Sequence, residues 1–335
     1  MNKTVAFYAP FDKRIKNDGF LEDFDDLKRY ANIHKNLTKL GYEVHSLDIF
    51  KKKKTIPSVC VFLDIPPINI NKLIDKRTKT IALLREPKLI SKENFDIKRQ
   101  NEFDLILTWK KSLIDRKKFL PYPSTRFESF VQLNAEKISN KKLCVLINSN
   151  ASSKSVGELY SLRRVIINWF DFNYPEDFDL WGYGWNMINL NIFNKTLCRV
   201  KSPLKYIPPS YQGIALDKLV TLSKYKFSIC FENTCLENDY ISEKIFDAFT
   251  AGNVPIYWGA EDIDNYIPNE CFIDRRRFTD HDELYHFLKN MPEKQYLNYQ
   301  RCIKKFIESE PEEFTCKNFA DIISFKIVEA INNQK

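Results

Sequence analysis

The sequence predicts an α/β protein built from two doubly wound units in tandem. Three observations carry that prediction. Short apolar, β-branched runs alternate with amphipathic stretches along the chain. A polar, Lys-rich break near 135–142 ("NAEKISNKK") separates two such series. The 335 residues suffice for two domains with a core each. The expected division is a first domain over 1–138, a second over 139–312, and a last helix over 313–335 that packs back toward the first.

In order, "TVAFYAP" reads as the opening strand. "DDLKRYANIHKNLTKLGY" follows as a helix stopped by Gly41, and "EVHSLDI", "SVCVFLDIP", "TIALLREP" and "FDLILTW" as further strands. Past the break, "KLCVLINSN" is a buried strand, and "GELYSLRRVIINWF" a helix expected to bury Leu162, Val165, Ile166 and Trp169. "DLWGYGW" reads as a strand ending in a glycine turn. "KFSICFEN", "SEKIFDAFTA" and "NVPIYWG" give strand, helix, strand, and "FADIISFKIVEAINN" a closing amphipathic helix. Alternation of this kind gives parallel sheets whose ligands bind beyond the carboxyl ends of the strands.

Composition narrows the function. Hydrophobic residues are 44% and charged residues 29%, a soluble globular balance, and only 8 glycines argue against repeats. The net charge of +8 is too dilute for a nucleic-acid binder. It reads either as a solvated Lys-rich surface or as attraction to phosphorylated ligands or an anionic membrane face. No run approaches the roughly 18 apolar residues of a membrane span. The N-terminus reads as a strand rather than a signal peptide, which places the chain in the cytoplasm with at most a peripheral hold on the inner face of the membrane. Eight cysteines are scattered without a C-x-x-C and are expected as reduced thiols. His281 and His286 are spaced wrongly for one helical face, so no metal site is expected there.

G-x-G-x-x-G and P-loop signatures are absent. Asp177-x-Asp179 reads either as a metal-bound nucleotide-sugar ligand or as a solvated loop before a strand. The stretch "FENTCLENDYISEKIFDAFTAGNVPIYWGA" (231–260) is more telling. Ser242 is placed to cap a helix that ends at Gly252. Glu243 suits the positive helix N-terminus and Lys244 does not. A phosphate held between Lys244 and the helix end would resolve that conflict, with Glu243 taking a sugar or ribose hydroxyl. The other reading leaves both as exposed first-turn residues.

"YKFSICFENT", "DYISEKIFDAFTAGNVPIYWGA" and "IPNECFIDRRRF" together resemble the donor-binding signature of the α1,3/α1,4-fucosyltransferases, glycosyltransferase family 10, with Tyr-Ile-Ser-Glu-Lys where the family more often has Tyr-Ile-Thr-Glu-Lys. Weaker similarity runs back through "DKLVTLSKYKF" and "LWGYGW" to "LYSLRR", and thinly to "IALLREP" in the first domain. The resemblance, closest to bacterial members, implies a GT-B fold, two Rossmann-like domains facing across a cleft. It implies inverting, metal-independent transfer of L-fucose from GDP-β-L-fucose to a 3- or 4-hydroxyl of a glycan, with no cofactor and no nucleic-acid partner. By residue matching it implies a donor site with Arg163, Asn233, Tyr240, Glu243 and Lys244, and Glu86 as general base. Arg164 is the register-shifted alternative to Arg163. Glu232, Lys218 and Lys226 are further candidates, the two lysines reading equally as surface residues.

Overall fold

The computed structural model describes residues 3–10, 12–21, 28–122, 138–192, 195–201, 206–309, 311, 314 and 316–332. Two compact units emerge, residues 1–129 with 310–335, and residues 130–309. The expected divisions after 138 and after 312 thus fall after 129 and after 309. Residues 135–137 of the expected linker lie outside the described residues.

The first unit is a parallel sheet of β1 (Thr4–Tyr8), β2 (Glu43–Ser46), β3 (Val59–Leu63), β4 (Lys79–Leu84), β5 (Leu105–Thr108) and β6 (Phe119–Pro121), in the order β2-β1-β3-β4-β5-β6. Its strands are apolar on both faces because both faces are covered. Val59, Val61 and Leu63 join one cluster beneath α1 (Lys28–Lys39), while Cys60 and Phe62 join the opposite one with Leu47, Phe50 and Phe103. The strand read in "EVHSLDI" stops at Ser46, and Leu47 opens α2 (Leu47–Lys52). Leu47 and Phe50, three apart, then share one buried helical face. α3 (Ile97–Gln100) is a single turn before β5.

The last helix, α9 (Cys316–Asn332), belongs to this first unit. Phe319, Ile323, Ile327 and Ile331 are buried in the same cluster as Tyr30, Ile33 and Leu37 of α1. Each such burial contributes roughly 1.5–3 kcal/mol. Asn36 Nδ2 donates to Asp321 at 2.8 Å.

The second unit holds a parallel sheet in the order β11-β8-β7-β12-β13-β14, formed by β7 (Lys142–Ile147), β8 (Phe178–Trp181), β11 (Tyr211–Gly213), β12 (Tyr225–Phe231), β13 (Val254–Trp258) and β14 (Ile273–Asp274). An antiparallel hairpin of β9 (Met187–Ile192) and β10 (Lys195–Lys201) stands apart from it. The helices are α4 (Tyr160–Asn173), α5 (Lys218–Ser223), α6 (Glu243–Thr250), α7 (His281–Lys289) and α8 (Glu293–Glu308).

The expected inward face of α4 is rotated. Val165 is 51% exposed, and the buried residues are Tyr160, Arg163, Ile166, Ile167 and Phe170. A pattern that counts only apolar residues misses this, because the long side chain turned inward is an arginine.

Candidate functional site

β12 runs between β7 and β13 and ends at Phe231, so its carboxyl end opens where parallel sheets present ligand sites. The next residue, Glu232, is fully buried. Its Oε1 accepts Ser242 N at 2.7 Å, and its Oε2 accepts Ser242 Oγ at 2.6 Å and Lys244 Nζ at 3.1 Å. Lys244 Nζ also donates to Ser242 Oγ at 2.9 Å. Ser242 is the N-cap of α6, its hydroxyl facing Lys244 N at 3.5 Å. The cation that sits badly against the helix dipole is therefore offset within the chain, by a buried carboxylate the sequence reading held only as a further candidate.

Gly259 makes this packing possible. A Cβ there would lie 2.4 Å from Glu232 Cγ and 2.3 Å from Tyr257 Oη, so only glycine lets the end of β13 pass over Glu232. The loop from β12 to α6 is pinned further along. Asp239, at φ +66°, donates its N–H to Asp262 Oδ1 at 3.0 Å and accepts Tyr266 Oη at 2.6 Å. Tyr240 follows, buried, and Glu243 is exposed at the first turn of α6.

Arg163 enters from α4 with 2% exposure. Its Nη2 donates to the carbonyls of Phe231 (2.6 Å) and Glu232 (2.5 Å) and to Asn233 Oδ1 at 3.2 Å. Its Nε and Nη1 are buried without a hydrogen-bond partner. Buried donors of this kind call for an acceptor. Burial lowers the guanidinium's pKa, against the pull of Glu232. Arg164 turns elsewhere, to Asn150 Oδ1 at 3.2 Å and to the Ala151 carbonyl.

Lys218, at the start of α5, pairs with Asp247 on α6. Burial opposes its charge, but Asp247 and then Glu243 outweigh that and hold it above its ordinary pKa. Arg163, Lys218 and Lys244 line one small pocket with Asn148, Ser228 and Cys230. Burial pushes the Cys230 thiol up to about 12, so it lines the pocket as a neutral small group.

Lys226 is not with them. It lies at the amino end of β12, five residues before Phe231, at roughly 3.3 Å per residue and hence about 16 Å down the strand. Asp177 and Asp179 also sit apart from the pocket, at the amino end of β8. Asp177 accepts Tyr285 Oη (2.8 Å) and Lys289 Nζ (2.6 Å), and Asp179 accepts Lys142 Nζ and Tyr225 Oη, both at 2.7 Å. Each carboxylate is matched to its own lysine, so the pair serves the sheet's packing.

Glu86 stands in the first unit, two residues past the end of β4 and partly exposed. Arg85, next to it, reaches Asp64 Oδ2 and Tyr30 Oη, both at 3.0 Å. Asp64 was not singled out from sequence. Its one signal was a charged residue closing the apolar run "SVCVFLD".

With this geometry in place the chain can be set beside known proteins. Residues 210–331 match the family model described as glycosyltransferase family 10 (fucosyltransferase), C-terminal part. "4-Galactosyl-N-acetylglucosaminide 3-alpha-L-fucosyltransferase 9" of Mus musculus is 40% identical over 95 residues, 27% of this chain and 26% of that protein. "Alpha-(1,4)-fucosyltransferase" of Arabidopsis thaliana is 35% identical over 86 residues, 24% of this chain and 21% of that one. The chain thus spans about a quarter of the length of these curated relatives. Among solved structures, an α1,3-fucosyltransferase with GDP aligns over 91% of this chain and 89% of its own, at 15% identity and a TM-score of 0.54. Anabaena Alr3699/HepE with UDP and glucose aligns over 98% and 100%, at 9% identity and a TM-score of 0.60.

Two units, each a parallel α/β sheet, and these structural neighbours define a GT-B type fold. Within that class the sequence match is particular to the C-terminal part, where residues 210–331 resemble glycosyltransferase family 10. Among the described residues, no helix is long and apolar enough to cross a membrane.

Proposed function

We propose that this chain transfers L-fucose from GDP-β-L-fucose to a 3- or 4-hydroxyl of a glycan acceptor, of the N-acetyllactosamine type, by a single inverting displacement. The observation that carries the reading is the convergence of Arg163, Lys218 and Lys244 on one pocket beside the α6 N-terminus, in a chain whose 210–331 segment matches the fucosyltransferase family. The acceptor oxygen forms a bond to C1 of fucose as the bond from C1 to the diphosphate oxygen breaks. The electron pair leaves with GDP, and the acceptor proton passes to the Glu86 carboxylate. Arg163 and Lys244 receive the negative charge growing on the diphosphate, which needs no metal ion and no cofactor. Glu243, exposed beside them, takes sugar or ribose hydroxyls. The chain would work in the cytoplasm, at most resting on the inner membrane face.

The test is a panel of GDP- and UDP-sugars with an N-acetyllactosamine acceptor, scored by product mass. Fucosylated product from GDP-fucose supports the reading, and turnover of another donor only would replace it. GDP at about 100 times its dissociation constant should stabilise the protein by roughly 2.7 kcal/mol, and UDP much less.

A further inference from the structure

The backbone of Glu86 is gripped at both of its polar groups by buried side chains. Asp64 follows β3 directly, is fully buried, and adopts the left-handed conformation at φ +73°. Its Oδ1 accepts the N–H of Arg85 at 2.7 Å and of Glu86 at 3.0 Å. Asn94, also fully buried, donates from Nδ2 to the Glu86 carbonyl at 3.0 Å and to Asp64 Oδ1 at 2.8 Å. Asn94 is itself fixed, since its Oδ1 accepts Ile65 N at 2.9 Å and its carbonyl accepts Gln100 Nε2 at 2.7 Å. The second Asp64 oxygen holds the Arg85 guanidinium, which Tyr30 steadies from α1. A left-handed backbone at a non-glycine residue is strained, and it persists where the surroundings over-determine it. Here it turns the carboxylate of one strand end onto the N–H groups of the next.

We infer that Asp64 and Asn94 are positioning residues for Glu86. Both are fully buried, and they fix the peptide units on both sides of the base so that its carboxylate meets the acceptor hydroxyl in one geometry. The inference rests on Glu86 being the general base of the proposed transfer. Misplacing a reacting group by about 1 Å costs on the order of 10²-fold in rate. Asp64→Asn keeps the shape but loses the charge and one acceptor. Asn94→Ala frees the Glu86 carbonyl and leaves the Asp64–Arg85 pair in place.

The experiment is a double-mutant cycle on the full chain. Transfer kcat and GDP affinity are measured for Asp64→Asn and Asn94→Ala, each in the wild-type and the Glu86→Gln background. Circular dichroism selects folded variants, and either substitution alone suffices. The expected result is a 10- to 100-fold loss of kcat in the wild-type background, GDP affinity unchanged within twofold, and no further loss once Glu86 is glutamine. An equal loss in both backgrounds, or no loss in either, overturns the positioning role while leaving the fucosyl-transfer reading intact. A wild-type protein that transfers no GDP-sugar overturns that reading and this inference with it.

Discussion

Replacing Glu232 by glutamine should destabilise the second unit by about 3 kcal/mol. The carboxylate is fully buried and accepts two hydrogen bonds from Ser242 and one from Lys244. Glutamine retains one acceptor oxygen, and its amide would face the Ser242 hydroxyl and the Lys244 ammonium. Breaking a buried ion pair by removing one partner costs roughly 3–5 kcal/mol. Lys244 retains 19% side-chain exposure and can turn partly to water, which sets the cost near the lower bound. For a domain of this size each kcal/mol moves Tm by about 2–4 °C, so the shift should be about 6–12 °C. Thermal unfolding followed by near-UV circular dichroism reads it directly. Removing the stranded cation as well, in Glu232→Gln/Lys244→Met, should recover part of the loss. A shift below about 2 °C, or a double variant no better than the single, would show that the pair is solvated and does not hold the N-terminus of α6.

Lys244→Ala should lower transfer on the order of 10²–10³-fold, with Arg164→Ala far milder because Arg164 is committed to Asn150 and Ala151; steady-state rates on both decide which arginine register and which cation serve the diphosphate. Transfer should persist in excess EDTA, and a strict Mg²⁺ or Mn²⁺ requirement in that assay would assign the diphosphate's charge to a metal instead. Burial, then Arg275, lowers the pKa of His281 below its ordinary 6.5, and Arg275 Nη2 lies 2.8 Å from its Nδ1. The neutral ring is the folded-state form, so its contribution is present above about pH 6.5 and is lost as pH falls through the lowered value. The unfolding free energy measured from pH 8 to 5 should decline on the acid side, by at most about 1.4 kcal/mol per pH unit from this group, and His281→Gln should flatten that limb.

Much of the frame was legible because local signals agreed with it. The capping serine at 242, the left-handed glycine at 252 and the apolar strands on either side place β12, α6 and β13 without tertiary information. What was not legible depends on side chains that leave their expected environment. The inward turn of Arg163 rotates α4 against its apolar pattern. The hairpin β9–β10 has no glycine turn to announce it. Lys226 sits near the donor motif in sequence, yet an extended strand carries it to the far end of the sheet. Asp64 and Asn94 are thirty residues apart and meet only because β3 and β4 are neighbours. Glu232 was visible in the motif, but that it would neutralise Lys244 could be seen only once the loop from 232 to 242 had folded back on itself.

The return of α9 to the first unit has a consequence for how the chain matures on the ribosome. Residues 130–309 are contiguous, so the second unit can complete itself as soon as it has emerged. The first unit cannot. Although its sheet is synthesised first, the apolar surface that Phe319, Ile323, Ile327 and Ile331 cover stays open until residues 316–332 have followed the whole of the second unit out of the exit tunnel. At about 5–20 residues per second, the roughly two hundred intervening residues keep that surface bare for about 10–40 s. The earlier-made half is thus the later-finished half, and over that interval it is the natural client for a chaperone.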